Sequence, residues 1–224
     1  MSYRIKFAVN GFYHVYNRGV DKRIIFDDHL DYQRFLLLML LANDVSNVDL
    51  HQSFRDCTIP ELIIFDRKPI VRLGAFSLMP NHFHFILSEL VEGGITSFMR
   101  KVATGYSMYF NMKNERTGTL FQGRYKAKHL NSDNYLRYMY QYVHLNLIRD
   151  AFNFADKNLA MDLIKTAELD PYNSLSAYSG KEKGRLSESV IDKNMMYTVY
   201  SNYDEHIKNL MQWKEEYQYY KEGE

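Results

Sequence analysis

The sequence contains almost no cysteine, and this limits the classes of protein to which it can belong. Of its 224 residues only Cys57 is a cysteine, so no disulfide can form within one chain. Small secreted folds that depend on several disulfides are therefore excluded. A chain of this length can bury a core that needs no cross-links. We expect a protein of a reducing compartment, with the cytoplasm as the default.

Long hydrophobic runs are also missing. The longest, Phe35 to Ala42, has eight residues, whereas a helix that spans a bilayer needs about 20. No apolar stretch follows Arg4 and Lys6 near the start, so we expect neither a secretory signal nor a membrane partner. The hydrophobic share of 46% and the charged share of 25% are ordinary for a folded soluble domain and exclude general disorder.

The chain has no overall excess of charge of either sign, because its formal net charge is +1. The distribution is uneven, with nine basic and three acidic residues between Phe98 and Asp150. Residues 181–224 contain seven basic and nine acidic residues, so this tail is not a polyanion-binding arm. The basic middle segment could bind phosphates or could simply be a solvated surface, and charge alone does not separate the two.

Hydrophobic periodicity predicts an alternation of strands and helices. The predicted strands cover residues 11–18, 70–78, 82–89 and 124–130. The predicted helices cover residues 28–43, 95–111 and 132–149. Residues 44–69 predict an insertion or loop, residues 170–180 are rich in turn formers, and residues 187–220 look helical and rich in tyrosine.

This order predicts an α+β fold. It is the ferredoxin-like β-α-β-β-α-β arrangement, an antiparallel sheet covered by helices on one face, with one added C-terminal helix. The short Met79-Pro80-Asn81 connection indicates that the second and third strands form a hairpin.

A His-Phe-His element lies in the third predicted strand. Side chains alternate along a strand, so His82 and His84 point to the same face, about 7 Å apart, and Phe83 points to the other. We expect the phenylalanines at 83 and 85 to face the helices and the histidines to lie on the open face. Two imidazoles can begin a metal site, which needs a third ligand, but such a pair can also be an ordinary surface or core feature.

The last predicted helix offers two candidate edges for that third ligand. Its expected buried stripe contains Leu136, Met139, Val143 and Leu147. Tyr142 and Asn146 share one edge, and Tyr140 and His144 share the other, since each pair is four residues apart. Periodicity alone does not choose between the two edges.

Four segments together resemble a known family of enzymes. They read LMPNHFHFILSE (78–89), RTGTLFQGRYKAK (116–128), YLRYMYQYVHLNLIRDAF (135–152) and DPYNSLSAYSG (170–180). The chain resembles the HUH single-tyrosine transposases of the IS200-like superfamily and, within them, the REP-associated tyrosine transposases. The resemblance covers about residues 12–180. It implies a catalytic domain over residues 1–150 and a family-like extension over 151–182. The apolar residues of the tail, 183–224, predict helices that pack on the core or form a partner-binding surface.

The resemblance also implies a site and a reaction. His82 and His84 match the family's His-hydrophobic-His element, and Tyr142 to Asn146 matches its Tyr-x-x-x-Asn element. Tyr142, on the added helix, is then the nucleophile, and His82, His84 and Asn146 hold Mg²⁺ or Mn²⁺. The implied reaction cleaves and rejoins single-stranded DNA through a 5′-phosphotyrosine, leaving a free 3′-hydroxyl. Leu147 departs from the family, which commonly has proline there.

The expected partner is single-stranded DNA with hairpin ends, bound by a monomer or a homodimer. Arg124, Lys126 and Lys128 alternate along the fourth predicted strand and would present positive charge on one face, while Tyr125 packs in the core or stacks on a base. Arg18 matches the family's Arg-Gly turn. The residues assigned to DNA binding are Arg18, Gln122, Arg124, Lys126 and Lys128.

Two other functions fit the same residues. One is a non-catalytic, domesticated DNA-binding module on the same fold. The other is a metal-dependent phosphodiesterase that uses water, with His144 or Tyr140 on the other helix edge and no covalent step.

Overall fold

A computed structural model describes residues 5–46, 58–64, 66–181 and 186–221, with side chains as far as Trp213. The strands are β1 (Phe12–Arg18), β2 (Val71–Met79), β3 (His82–Glu89) and β4 (Lys126–His129). The helices are α1 (His29–Ala42), α2 (Ile59–Ile64), α3 (Gly94–Lys113), α4 (Asp133–Leu145), α5 (Arg149–Phe154), α6 (Lys157–Leu169), α7 (Leu175–Ser179), α8 (Leu186–Val190) and α9 (Tyr203–Lys221). Two 3₁₀ segments cover Val20–Lys22 and Lys193–Thr198.

The four strands form one sheet in the order β2-β3-β1-β4, and every neighbouring pair is antiparallel. The predicted α+β class is confirmed. In the register of β1 against β3, Tyr16 lies opposite His84 and Arg18 opposite His82. On its other side, β1 pairs Tyr16 with Lys126 of β4. Strand β1 therefore lies between the strand that carries the histidines and the strand that carries the lysines.

One face of the sheet is covered by α1 and α3. The alternation along β3 directs Phe83 and Phe85 into this core, as predicted. The ring of Phe35 from α1 lies 5.3 Å from that of Phe83, and the ring of Phe98 from α3 lies 6.3 Å from that of Phe85. Helix α1 begins at Asp28, whose side chain accepts a hydrogen bond from the Asp31 amide in a capping box.

The other face is covered in part by α4, so the prediction of helices on one face only is wrong. Ala75 of β2 and Ile86 of β3 point to this second face and pack in one cluster with Met139 and Val143 of α4. This apolar surface needs a covering helix because exposed apolar side chains of this kind cost free energy in water. Over β1 and β4 the same face is polar and stays accessible. His82 and His84 thus lie on this face at the boundary between the half that α4 covers and the half that it leaves open.

The end of α4 differs from its prediction. The helix stops at Leu145, and the amides of Asn146 and Ile148 bond to carbonyls three residues back, at 3.4 and 2.9 Å. Such a tightened turn changes the direction of the side chains that follow. Leu147 therefore leaves the predicted buried stripe and is 40% exposed, whereas Met139 and Val143 are buried as expected.

Other boundaries also shift. Strand β4 begins at Lys126 rather than at residue 124. The segment predicted as an insertion or loop contains the short helix α2, while residues 47–57 and 65 of it lie outside the described part of the chain. Helices α5 and α6 were not predicted, although Asp156 caps the start of α6 by accepting a hydrogen bond from the Leu159 amide.

The C-terminal segment packs against α4. Trp213 of α9 is buried, and its ring meets that of Tyr138 edge to face, with centroids 5.4 Å apart. Met195 of the second 3₁₀ segment is also buried in this cluster. Among the described residues, no helix has the length and apolar character that crossing a bilayer requires.

Candidate active site

A cleft of about 610 Å³ opens between β1, β3, β4 and the turn that follows α4. Every residue that the sequence assigned to the site lines it. These residues are Arg18, His82, His84, Gln122, Arg124, Lys126, Lys128, Tyr142 and Asn146. Segments far apart in the chain meet here because the antiparallel register places β1 between β3 and β4.

His82 and His84 lie on the same face of β3, with ring centroids 5.1 Å apart. Each ring is held through its Nδ1 atom. The Nδ1 atom of His82 lies 2.5 Å from Oδ1 of Asn81, and the Nδ1 atom of His84 lies 2.8 Å from Nε2 of His14. A histidine that binds metal through one ring nitrogen commonly has the other nitrogen fixed by such a partner. The two rings are therefore arranged to offer Nε2 as a ligand.

Both rings are neutral at pH 7. Burial, together with the charges of Arg18 and Arg149, lowers the pKa of His82 to about 4. Burial also lowers the pKa of His84 well below its usual value, and the neighbouring His14 contributes. A neutral imidazole keeps the lone pair that a metal ligand needs.

The third candidate ligand, Asn146, lies one helical turn beyond Tyr142, directly after α4. A hydrogen bond between its side chain and the His82 ring raises the pKa of that ring and opposes part of the lowering. Its Nδ2 atom is buried without a hydrogen-bond partner. The oxygen of this amide is the atom that could bind a divalent ion, while the N–H groups of Nδ2 could donate to a phosphate oxygen.

This donor set fits a divalent ion that keeps open positions for substrate. It consists of two imidazole nitrogens and one amide oxygen, all uncharged. Within the described ranges, no group of three or more His, Cys, Asp or Glu residues is placed to hold a metal. Ligands without charge leave the ion's own charge available to a phosphate group.

Tyr142 lies at the bottom of the cleft and is 7% exposed. Its ring contacts the rings of His84 and His14 edge to face, with centroids 5.4 and 5.8 Å away. Arg149 covers the other side, with its guanidinium 5.6 Å from the ring centroid. The phenol is thus placed between the histidines and a cation.

The other edge of α4 does not reach the cleft. Tyr140 and His144 are fully buried on the side of the C-terminal segment. His144 contacts Nε2 of His206 through Nδ1 and Oγ of Ser174 through Nε2, both at 2.8 Å. The structure therefore separates the two edges that periodicity left equivalent, and only Tyr142 and Asn146 face the histidine pair.

The basic side chains form one wall of the cleft. Lys126 and Lys128 alternate along β4 as predicted, while Arg124 precedes the strand instead of lying in it. The backbone N–H of Gln122 donates a hydrogen bond to the backbone carbonyl of Arg18 at 2.8 Å and links this wall to β1. Tyr125 packs against the core on the opposite face, in agreement with the core alternative.

The sequence reasoning did not assign several cleft residues to the site, among them His14, Tyr16 and Arg149. His14 and Tyr16 alternate with Arg18 along β1, and this period-two signal could have placed them on the same face. Arg149 lies seven residues after Tyr142 and three after Asn146, and this helical spacing could have placed it on their edge.

Residues 65–146 match the family model described as "Transposase IS200 like". The resemblance to the IS200-like transposases is thereby confirmed. The matched segment includes both histidines, Tyr142 and Asn146. It ends just before the turn that carries Arg149.

A solved structure of a REP-associated tyrosine transposase bound to a REP hairpin is similar in fold to this chain. The TM-score is 0.53 at 14% sequence identity, over 84% of this chain and 90% of the other. At this identity the likeness establishes a shared fold. No curated protein matches the chain. The family match supports a transposase function.

Proposed function

We propose that this protein is a metal-dependent transposase that cleaves and rejoins single-stranded DNA at hairpin-bearing ends through a 5′-phosphotyrosine. One observation carries the proposal. The phenol of Tyr142, the rings of His82 and His84 and the amide of Asn146 come from separate parts of the chain and line one basic cleft.

The two histidines and Asn146 would hold the ion, Mg²⁺ or Mn²⁺. When bound, such an ion supplies stabilisation for the negative charge that develops on the oxygens of the scissile phosphate. The residues themselves orient the site: Asn81 and His14 fix the two rings, and the turn after α4 places Asn146 beside His82.

Tyr142 would attack the phosphorus through its hydroxyl oxygen. The new bond joins Oη to phosphorus, the bond from phosphorus to the 3′ oxygen breaks, and the departing oxygen takes a proton to become a 3′-hydroxyl. The phenol loses its own proton to solvent. The ester is exchanged rather than hydrolysed, so attack by a 3′-hydroxyl on the phosphotyrosine rejoins strands and restores the enzyme.

The basic wall would bind the DNA backbone. Arg18, Arg124, Lys126 and Lys128 place four cations along one side of the cleft, and phosphate contacts of this kind provide most of the affinity for single strands. The solved structural neighbour was bound to a REP hairpin, which supports hairpin DNA as the class of substrate.

Denaturing gels test the proposal. The full chain is incubated with Mn²⁺ and hairpin-bearing single-stranded DNA labelled at its 3′ end, because a 5′-phosphotyrosine retains the strand on that side of the cut. We expect a labelled protein band that survives denaturation. The Tyr142→Phe variant should form none, since it lacks the attacking oxygen.

Tyr140→Phe is the matched control, because its hydroxyl lies on the other edge of α4, outside the cleft. It should retain the band. Cleavage without a protein-DNA band would instead favour a phosphodiesterase that uses water. Binding without cleavage would favour a DNA-binding module. A band that is lost in Tyr140→Phe but kept in Tyr142→Phe would identify Tyr140 as the nucleophile.

A further inference from the structure

Arg149 contacts the hydroxyl of Tyr142, although no motif of the sequence assigned it to the site. Its Nη1 atom donates to the tyrosine oxygen at 3.4 Å, and the guanidinium carbon lies 5.6 Å from the ring centroid. Arg149 also lines the cleft. It is therefore placed at the atom that the proposed reaction uses as nucleophile.

The position of Arg149 follows from its helical spacing to Tyr142 and from the turn after α4. Tyr142 and Arg149 are seven residues apart, and α4 ends between them at Leu145. The turn at Asn146 and Ile148 sets the first residue of α5 against the phenol. The same turn places Asn146 beside His82, so one local feature positions two cleft residues.

The guanidinium also acts on the histidine pair. Its charge is among the causes that lower the pKa of both His82 and His84. One cation is thus close to the phenol and to both histidines. A phosphate bound between these groups would lie within reach of Arg149.

We propose that Arg149 is a further catalytic residue, whose guanidinium stabilises negative charge on the Tyr142 oxygen and on the scissile phosphate. This inference rests on the proposed function, because it takes Tyr142 as the nucleophile. In cleavage the oxygen loses its proton to solvent while it bonds to phosphorus. In joining, the bond from the oxygen to phosphorus breaks and the electron pair returns to the oxygen. In this step the attacking 3′-hydroxyl loses a proton and the tyrosine oxygen takes one up from solvent. The tyrosine oxygen therefore carries negative charge between its protonated and its phosphorylated form in both directions.

Arginine suits this role for two reasons. Its guanidinium stays protonated, so it cannot remove the proton of the phenol and acts only by charge and hydrogen bonding. Its five N–H groups lie in a planar fork, which can contact the phenol oxygen and a phosphate oxygen together.

A role in stability alone does not account for the position of Arg149 at the Tyr142 hydroxyl. The ion pair between Nε of Arg149 and Asp150 is long, at 3.7 Å, and the Asp150 side chain is 94% exposed. Exposed pairs of this kind add about 0–1 kcal/mol to stability. The Arg149 side chain is itself 31% exposed, so it lies outside the packed core.

Single-turnover rates of covalent adduct formation test the inference in Arg149→Gln and Arg149→Lys. Saturating DNA is used, so that weaker binding does not affect the rate. We expect Arg149→Gln to slow the reaction about 100-fold, the size of effect seen when one donor to a developing oxyanion is removed. Arg149→Lys should recover part of the rate, because it restores the charge without the fork.

Three further measurements separate chemistry from binding and folding. The dissociation constant for DNA and the urea midpoint should change little in Arg149→Gln, and the joining of a 3′-hydroxyl strand to isolated adduct should slow by a similar factor. Arg100→Gln is the matched control, an exposed arginine of α3 outside the cleft, and should behave as wild type.

The outcomes distinguish this inference from the proposed function. A Tyr142-dependent adduct that forms at the wild-type rate in Arg149→Gln overturns the role of Arg149 alone. So does a loss that appears only in the dissociation constant or in the urea midpoint. If the wild-type protein forms no adduct through Tyr142, the proposed function and this inference both fail.

Discussion

His14 shows how a single side chain can organise a site without being part of its motif. It is buried between β3 and β4, where its ring stacks on His84 and on Tyr16, with centroids 5.1 and 4.8 Å away. Burial, together with the charge of Lys128, lowers the pKa of His14 to about 3. A neutral His14 can fix the ring of His84 through their shared hydrogen bond.

Replacing His14 should weaken metal binding. We expect His14→Ala to lower the affinity for Mn²⁺ about 10- to 100-fold, the range for loss of a group that orients a metal-binding histidine. Titration calorimetry on the full chain without DNA measures this directly.

His129→Gln provides the matched control. This histidine is exposed on β4 and stacks on Tyr13, away from the cleft. It should bind Mn²⁺ with wild-type affinity. Equal affinities for wild type and His14→Ala would show that His84 needs no support from β1.

The two edges of helix α4 lie in different environments. One edge carries Tyr142 and Asn146 to the cleft, and the other carries Tyr140 and His144 into the packing with the C-terminal segment. On this second side, Tyr140 lies close to strand β2 at Gly74, where the strand has a bulge. The carbonyl of Gly74 accepts a hydrogen bond of 2.6 Å from the hydroxyl of Tyr178.

A side chain at Gly74 should disturb α4. A Cβ atom there would collide with the hydroxyl of Tyr140 and lie 3.0 Å from Cε of Met195. We expect Gly74→Ala to lower the free energy of unfolding by about 1–3 kcal/mol, the usual cost of overpacking a core. Urea unfolding measures it.

A double mutant identifies the cause. In a Tyr140→Phe background the oxygen that collides is gone, so Gly74→Ala should cost less there than in the wild-type protein. If Gly74→Ala lowers the free energy of unfolding equally in both backgrounds, the Tyr140 hydroxyl is not the source of the strain.

For the whole molecule, buried neutral histidines couple folding to pH. Burial lowers the pKa of His206 to about 3 and the pKa of His144 well below its usual value, to which the neighbouring His206 contributes. In the unfolded chain both rings titrate near their ordinary value of about 6.5. The unfolded chain therefore binds more protons than the folded protein at mildly acidic pH, and acid favours unfolding.

The free energy of unfolding should be constant above about pH 7 and should fall as the pH drops below about 6.5. The expected loss at pH 5 is about 2 kcal/mol for each fully buried histidine, at about 1.4 kcal/mol per pH unit. Urea unfolding at pH 7, 6 and 5 measures the slope. His206→Phe should have a smaller slope, and a slope that matches wild type would contradict the assignment.

Much of the fold could be predicted because its signals are local. The alternation of His82, Phe83 and His84 follows from strand geometry, and the order of strands and helices follows from apolar periodicity. The turn after α4 was harder to predict. Its backbone depends on packing with later helices, and no residue type at 146–148 marks it.

The sequence by itself determined which side chains share a strand face or a helix edge, since covalent geometry sets these periods. It left Tyr142 and Tyr140 equivalent, and it gave no role to His14 or Arg149. Only the tertiary structure decided these points, because they depend on which edge of α4 meets the sheet and on where the chain turns next. Contacts between distant segments have no signature in local periodicity, and the cleft consists of such contacts.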